Sequence, residues 1–310
     1  MGGTGKTPHA EYLLVLLQYR YKVATLSRGY GRKTHGFLVA QQTSTASEIG
    51  DEPKQFKSKF PEGVIAVAED RVLAVPRLLD AHPDVEIILL DDAFQHRSIR
   101  AGLSILLTEY AQLFTRDEIF PFGWLREEKS NYHRADIIIV TKCPHNISEE
   151  KRKEITDEIK PFRYQKIYFS EIQYAPLYSF YNFQTKAELD KNTDVLLVCG
   201  IANYDGLKKY LETKTRKVFV REYKDHHNYD RYDLEMIRDT FTNLGTSKKM
   251  LVTTEKDAAR FEEHRNWFLQ NKIEIFVQPV SVQFIGNDGE KFNADILHYL
   301  EATKQTTAKF

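Results

Sequence analysis

The sequence has little cysteine, no imbalance of charge and no long apolar run. Its 2 cysteines, Cys143 and Cys199, lie far apart beside expected strands, so they neither frame a disulfide scaffold nor space a zinc site. That usage suggests a reducing cytosol. Lys+Arg and Asp+Glu both number 44, for a formal net charge of +0, which makes no case for nucleic-acid wrapping. Anions must be held by local clusters. No apolar stretch approaches the ~20 residues of a membrane span, and neither a signal peptide nor an internal repeat is visible. The chain of 310 residues is 42% hydrophobic and 28% charged, enough for one large or two medium cores.

The first strong signal is Gly2-Gly3-Thr4-Gly5-Lys6-Thr7, a glycine-rich loop running straight into an apolar helical segment. Glycines let successive backbone N–H groups turn inward around a phosphate, a lysine reaches the β- and γ-phosphates, and a threonine hydroxyl can reach Mg²⁺. Such loops normally follow a buried strand. None precedes Met1, so an N-terminal piece carrying that strand is expected upstream.

After a helix over 9–19, Val23–Ser27 reads as a buried strand that delivers Ser27-Arg28-Gly29-Tyr30-Gly31-Arg32-Lys33 at its carboxyl end, where open α/β sheets bind ligands. The turn reads equally as a phosphate grip or a solvated basic loop. Asp51 and Glu52 stand at a helix start, where acids often serve only the helix dipole. A strand over 64–67 leads to Glu69-Asp70-Arg71 and another helix. The second strong signal is the apolar run ending in Asp91-Asp92-Ala93-Phe94-Gln95-His96, which places a metal-binding carboxylate at the end of a strand. Further strands are expected at 103–107 and 135–140, with an aromatic loop between them ending in Leu125-Arg126-Glu127.

Strands and helices alternating this way predict an α/β fold, a mostly parallel phosphate-loop sheet flanked by helices, with a second, smaller α/β lobe joined by short strands. The expected division is a nucleotide-binding domain over 1–165, a connection over 166–185 and a C-terminal lobe over 186–310. That lobe carries Asp225-His226-His227 after one strand and Thr254-Glu255-Lys256-Asp257-Ala258-Ala259-Arg260 after another. Adjacent histidines suggest metal, but no third ligand has a recognisable spacing, and a base or orienting role fits better.

Taken in order, Gly-Gly-Thr-Gly-Lys-Thr-Pro, Ser-Arg-Gly-Tyr-Gly-Arg, Gly-Asp-Glu-Pro, Asp-Asp-Ala-Phe-Gln-His-Arg, Leu-Arg-Glu, Asp-His-His and Thr-Thr-Glu-Lys-Asp-Ala resemble the tetraacyldisaccharide 4'-kinase family, the lipid A 4'-kinases of Gram-negative bacteria. The match spans most of the chain. The resemblance implies transfer of the ATP γ-phosphate to the 4'-hydroxyl of an acylated disaccharide 1-phosphate, with Mg²⁺, by a peripheral protein on the cytoplasmic face of the inner membrane. It also implies an N-terminal membrane-contacting segment before the loop. Residues 2–7 would hold ATP, Thr7 and Asp92 the magnesium, and Lys6 the charge on the transferring group. Asp51 would be the base, oriented by His226 from the second lobe, with hinge closure assembling the site. Glu52, Asp91 and Glu127 would be supporting acids, and Arg71, Arg28 and Arg32 phosphate contacts. Two departures stand out. Ala93 replaces the family's usual glycine, a poor fit if that position needs positive φ, and Glu128 follows Arg-Glu where proline is usual.

Two rival readings remain. A ParA/MinD-like switch ATPase would need lysine at position 1, where Met1 stands, and does not account for Asp-Asp-Ala-Phe-Gln-His. A nucleotide-gated binding or scaffold protein would bind ATP and make no lipid product.

Overall fold

The computed structural model describes residues 3–307. The chain runs α1 (Lys6–Leu17), β1 (Val23–Ser27), β2 (Leu38–Val39), α2 (Ala46–Ile49), α3 (Asp51–Lys59), β3 (Val64–Val67), α4 (Arg71–Ala81) and β4 (Ile87–Leu90). It continues with β5 (Ile105–Glu109), β6 (Ile137–Thr141), α5 (Glu149–Ile159), β7 (Lys166–Tyr174), β8 (Leu177–Ser179), β9 (Asn182–Ala187) and β10 (Asp194–Cys199). The last third holds α6 (Asp205–Lys214), β11 (Lys217–Glu222), α7 (Arg231–Thr242), β12 (Lys249–Thr254), α8 (Glu255–Phe261) and α9 (Arg265–Gln270), then β13 (Ile275–Gln278), β14 (Val280–Phe284) and α10 (Asp288–Thr307).

These elements form two compact units, each discontinuous in sequence: residues 1–19, 92–173 and 281–310 make one, and residues 20–91 and 174–280 the other. The division expected from chain order, with cuts near 165 and 186, is therefore not the one the packing makes. Helix α3 packs on α8, which draws the segment after β1 into the same body as the C-terminal strands. The short strands expected to link two lobes are built into sheets: β7 runs parallel to β6, and β8 pairs antiparallel with β13 and β9.

In the first unit a sheet of order β14-β7-β6-β5 has parallel pairing through β5, β6 and β7. Its core packs Leu113, Ile138, Val140, Ile155, Ile159 and Phe169. In the second unit β1 sits inside a sheet of order β2-β3-β1-β4, parallel to β3 and β4, with the edge strand β2 antiparallel. Its larger sheet has order β11-β10-β12-β13-β8-β9. Strand β10 is buried along its whole length, as a parallel strand covered on both faces should be. The side-chain period of two divides it: Leu196 and Val198 join the aromatic cluster of Phe261 and Phe268, and Val195, Leu197 and Cys199 meet Leu207 and Leu211 of α6. The architecture is α/β with mostly parallel sheets, as the alternation of strands and helices predicts. Cys143 and Cys199 are both free and buried.

The helix expected over 294–300 is longer at both ends, running Asp288–Thr307. No helix among the described residues is long and apolar enough to cross a membrane.

Candidate active site

The phosphate loop lies in the first unit. Gly2 falls outside the described residues. Gly3 and Gly5 take φ of 88° and 89°, a region costly for residues with a Cβ, and Gly5 caps α1. No side chain caps that helix start and its first turn holds no acid, so its N–H groups and positive dipole end are open to an anion. Two polar ties fix the loop from behind. Oγ1 of Thr141, at the end of β6, donates to the Thr4 carbonyl at 2.9 Å. His9 donates from Nδ1 to the Gly5 carbonyl at 2.7 Å, and its Nε2 accepts from the Ser170 hydroxyl at 3.0 Å. Burial lowers the His9 pKa to about 4, against the opposing effect of the Gly5 carbonyl, so the ring is neutral and can bridge in this way.

Lys6 Nζ stands 3.7 Å from Oδ1 of Asp92, and Arg126 Nη1 donates to Oδ2 at 3.1 Å. Burial pushes the Asp92 carboxyl up, but Lys6 and Arg126 outweigh it and hold it below the ordinary range, so it stays ionised. Asp92 has φ of 48°, and Ala93 is not among the positive-φ residues. The substitution of alanine for the family's glycine is accommodated because the strained position is the aspartate, a residue that tolerates it. Thr7, in the first turn of α1, is buried. A hydroxyl and an ionised carboxylate are the hard oxygen donors that magnesium takes when phosphates supply the rest. Among the described residues no group of three or more His, Cys, Asp or Glu makes a metal site of its own. Glu127, expected to be a supporting acid, is bound to Arg134, whose guanidinium also stacks 4.3 Å from the Phe94 ring.

The second unit holds the other cluster. Asp51, the first residue of α3, is buried, and its Oδ2 accepts from Nδ1 of His226 at 3.0 Å and from Nη2 of Arg260. Both partners belong to the same compact unit as Asp51, so His226 does not come from a separate lobe as expected. Burial pushes the Asp51 carboxyl up, but the His226 bond and the charges of Arg260 and Lys256 outweigh it and hold it well below the ordinary range. The Asp51 bond raises the His226 pKa against the effect of burial. His226 has φ of 59°, a strained conformation for a residue with a side chain. The two neighbouring histidines diverge: His227 Nε2 stands 2.7 Å from Asp233 in the cap of α7 and stacks on Tyr223, which leaves no paired metal ligands.

Two glycine motifs set Asp51 in place. Gly29 has φ of 67°, and a Cβ there would lie 2.7 Å from the Ile49 carbonyl, while one on Gly50 would meet the Gly29 backbone at 3.1 Å. The turn is thereby seated on the start of α3, with Lys33 N donating to Ser47 O at 2.7 Å and the Tyr30 ring 4.7 Å from that of His226. Arg32, expected to meet phosphate, is half-buried, with its guanidinium bound to Glu69 at 2.6 Å and to the Gly36 carbonyl at 2.7 Å. Arg28 remains exposed. Glu52 is paired with Lys256 at 2.5 Å. Arg71 is buried at the start of α4, and Asp91 is buried with its amide on Leu26 O at 3.1 Å.

Arg126, Lys256, Asp257 and Arg260 lie within the sequence motifs, which alone assign them no role. The spacing of Asp257 and Arg260 on one helix face was the available signal.

Comparison with known proteins identifies the family. The family model described as Tetraacyldisaccharide-1-P 4'-kinase matches residues 1–301. A tetraacyldisaccharide 4'-kinase of Bacteroides fragilis is 42% identical over 307 residues, covering 97% of this chain and 82% of its own. One from Flavobacterium psychrophilum is 40% identical over 305 residues, covering 98% and 85%. The crystal structure of the apo form of LpxK from Aquifex aeolicus in complex with ATP superposes with a TM-score of 0.69 at 24% identity, covering 97% of this chain and 85% of that one, which shows the shared fold. On the strength of the family match and these relatives, the chain belongs to the tetraacyldisaccharide-1-P 4'-kinase family.

Proposed function

We propose that this kinase transfers the γ-phosphate of ATP to the 4'-hydroxyl of a tetraacylated disaccharide 1-phosphate, the precursor of lipid A. The observation that supports transfer best is the open, acid-free start of α1 behind Gly5, with Lys6 beside it. The acceptor's identity follows from the family.

Residues 2–7 hold the triphosphate, through backbone N–H groups and the Lys6 ammonium. Thr7 and Asp92 would hold magnesium, which would neutralise phosphate charge during transfer. Lys6 and Arg126 keep Asp92 ionised for that task. Asp51 and His226 act as a pair that takes the proton of the acceptor hydroxyl, an alcohol far too weakly acidic to react unaided at neutral pH. Arg28 and Arg71 act as contacts for the anionic acceptor, and Asp91 is a supporting acid. Glu52 and Glu127 act indirectly, through Lys256 and Arg134. The protein works peripherally on the cytoplasmic face of the inner membrane, where its acyl-bearing acceptor resides.

Incubation with γ-labelled ATP and the acylated disaccharide 1-phosphate tests this reading. Label is expected in the lipid, and its loss is expected in Lys6→Ala. ATP turnover without labelled lipid in the unaltered protein overturns it.

A further inference from the structure

We propose that the loop between β5 and β6 is a membrane-insertion tip, whose Phe120, Phe122 and Trp124 enter the interfacial layer of a phospholipid bilayer. This rests on the kinase reading above, whose acyl-bearing acceptor lies in such a bilayer, and it names the part of the chain that meets the lipid.

Phe120, Phe122 and Trp124 are 74%, 92% and 68% exposed, and Ile119 beside them is exposed as well. Three large aromatics within five residues make an apolar patch of the kind that marks an interaction surface. The loop that carries them is closed and tightly bonded. Asp117, buried at its base, accepts on Oδ1 from the amides of Glu118 and Trp124 at 2.9 and 3.1 Å. Leu125 N donates to the Glu118 carbonyl at 2.9 Å and Phe120 N to the Leu125 carbonyl at 3.0 Å, which closes the neck. Gly123 packs so near Glu118 that a Cβ would stand 2.3 Å from its carbonyl oxygen. The backbone is thus fixed with its aromatics facing outward, and their burial needs something from outside the loop.

The backbone donors and the charges decide what that is. From Phe120 to Leu125 every main-chain N–H is used within the loop or by Asp117. Phe122 and Gly123 donate to the Ile119 carbonyl at 3.0 and 3.2 Å, Phe120, Trp124 and Leu125 make the bonds above, and Pro121 has no N–H. A peptide docking by its main chain needs free donors to receive it, and this loop offers none. A bilayer makes the opposite demand, that backbone donors be satisfied before they leave water. No charged residue stands between Ile119 and Leu125. Charge begins at the neck, where Lys129 meets Glu118 at 2.9 Å and Arg126 donates to Oδ2 of Asp92 at 3.1 Å. An apolar tip on a charged collar is the distribution of an interfacial anchor, and aromatic side chains favour that depth. The tip's carbonyls still need donors, which water and headgroups supply at the interface, so insertion stops there. Because the collar's cations are paired with acids, apolar burial carries the binding and attraction to anionic lipid adds little. Arg126, directly after the tip, touches the carboxylate that stands 3.7 Å from Lys6, so seating the tip sets the phosphate-transfer groups at the headgroup layer.

Tryptophan fluorescence tests this without ATP. The chain has 2 tryptophans, Trp124 and Trp267, so Trp267→Phe leaves Trp124 as the reporter. With vesicles of phosphatidylethanolamine and a minor share of phosphatidylglycerol, its emission should shift to the blue and be quenched by bromine on the upper acyl chain. Phe122→Ser, at an exposed position, should lower the vesicle partition coefficient measured by sedimentation about tenfold or more, with the thermal midpoint unchanged. Emission unmoved by vesicles, or unaltered partition in Phe122→Ser and Trp124→Ser alike, would overturn the proposal. So would a shift produced only by the acylated disaccharide presented in detergent, which gives the tip to the acceptor's acyl chains. A shift that grows with protein concentration in the absence of lipid gives it to a second copy and overturns the proposal too. If Trp267→Phe gives no cooperative thermal transition, sedimentation of the two serine variants decides. Labelled lipid made by a protein whose tip does not insert counts against this proposal alone, and insertion without labelled lipid counts against the kinase reading alone.

Discussion

Nδ1 of His226 stands 3.0 Å from Oδ2 of Asp51, although 175 residues separate them in sequence. The contact joins a strained turn after β11 to the first residue of α3, and each partner alters the other: the carboxylate is held ionised, and the imidazole is made more basic. If the pair takes the acceptor's proton, His226→Ala and Asp51→Asn should each lower kcat by about 10²–10⁴-fold. ATP affinity, measured by calorimetry, should be unchanged. Equal loss of ATP affinity and turnover would contradict the assignment.

The pH dependence of turnover follows from the direction of the His226 shift. Only the neutral ring accepts a proton, and its pKa is raised above the ordinary 6.5 by the Asp51 bond. The rate should therefore fall as pH drops through a midpoint above 6.5. A midpoint in the carboxylate range would assign the proton to Asp51 instead.

His9 predicts a pH dependence of stability. Its folded pKa of about 4 lies below its ordinary value, so between those limits the unfolded chain binds the proton more readily. The contribution of the neutral ring is present above the unfolded value and is lost as pH falls, amounting to roughly 3 kcal/mol in full. Melting temperatures recorded between pH 4 and 7 should slope less in His9→Gln than in the unaltered protein. Parallel slopes would show that the buried ring does not carry this dependence.

Gly29→Ala should destabilise the protein by about 1–3 kcal/mol, since the new Cβ meets the Ile49 carbonyl and φ is positive. Because Ile49 and Gly50 lead into Asp51, kcat should fall further than the shift in thermal midpoint accounts for. Turnover that simply follows the folded fraction would show that the turn has no role in seating Asp51.

Much of this was legible in the sequence. The phosphate loop announces itself through glycines at positions that need positive φ, and the strand signals at 23–27, 64–67 and 194–199 come from β-branched runs that the sheets bury. Asp51 and His226 are candidates through resemblance alone, since neither has a local pattern specific to catalysis. The partition into units was not legible, because it depends on α3 packing on α8, a tertiary contact without a local signature. Nor does a motif tell an arginine that meets a ligand from one already spent on a neighbour: Arg32 goes to Glu69, and Arg134 takes Glu127. Arg260 is a like case: it pairs with Asp51 and Asp257, and only the folded chain specifies that.

The most direct test of the central claim is the fate of the γ-phosphate in a single turnover, followed by ³¹P NMR of the acylated disaccharide 1-phosphate incubated with excess protein and ATP. The account predicts a second phosphomonoester signal assigned to the 4' carbon, formed at a rate sharply reduced in His226→Ala. Release of inorganic phosphate alone, with the lipid unchanged, would contradict it.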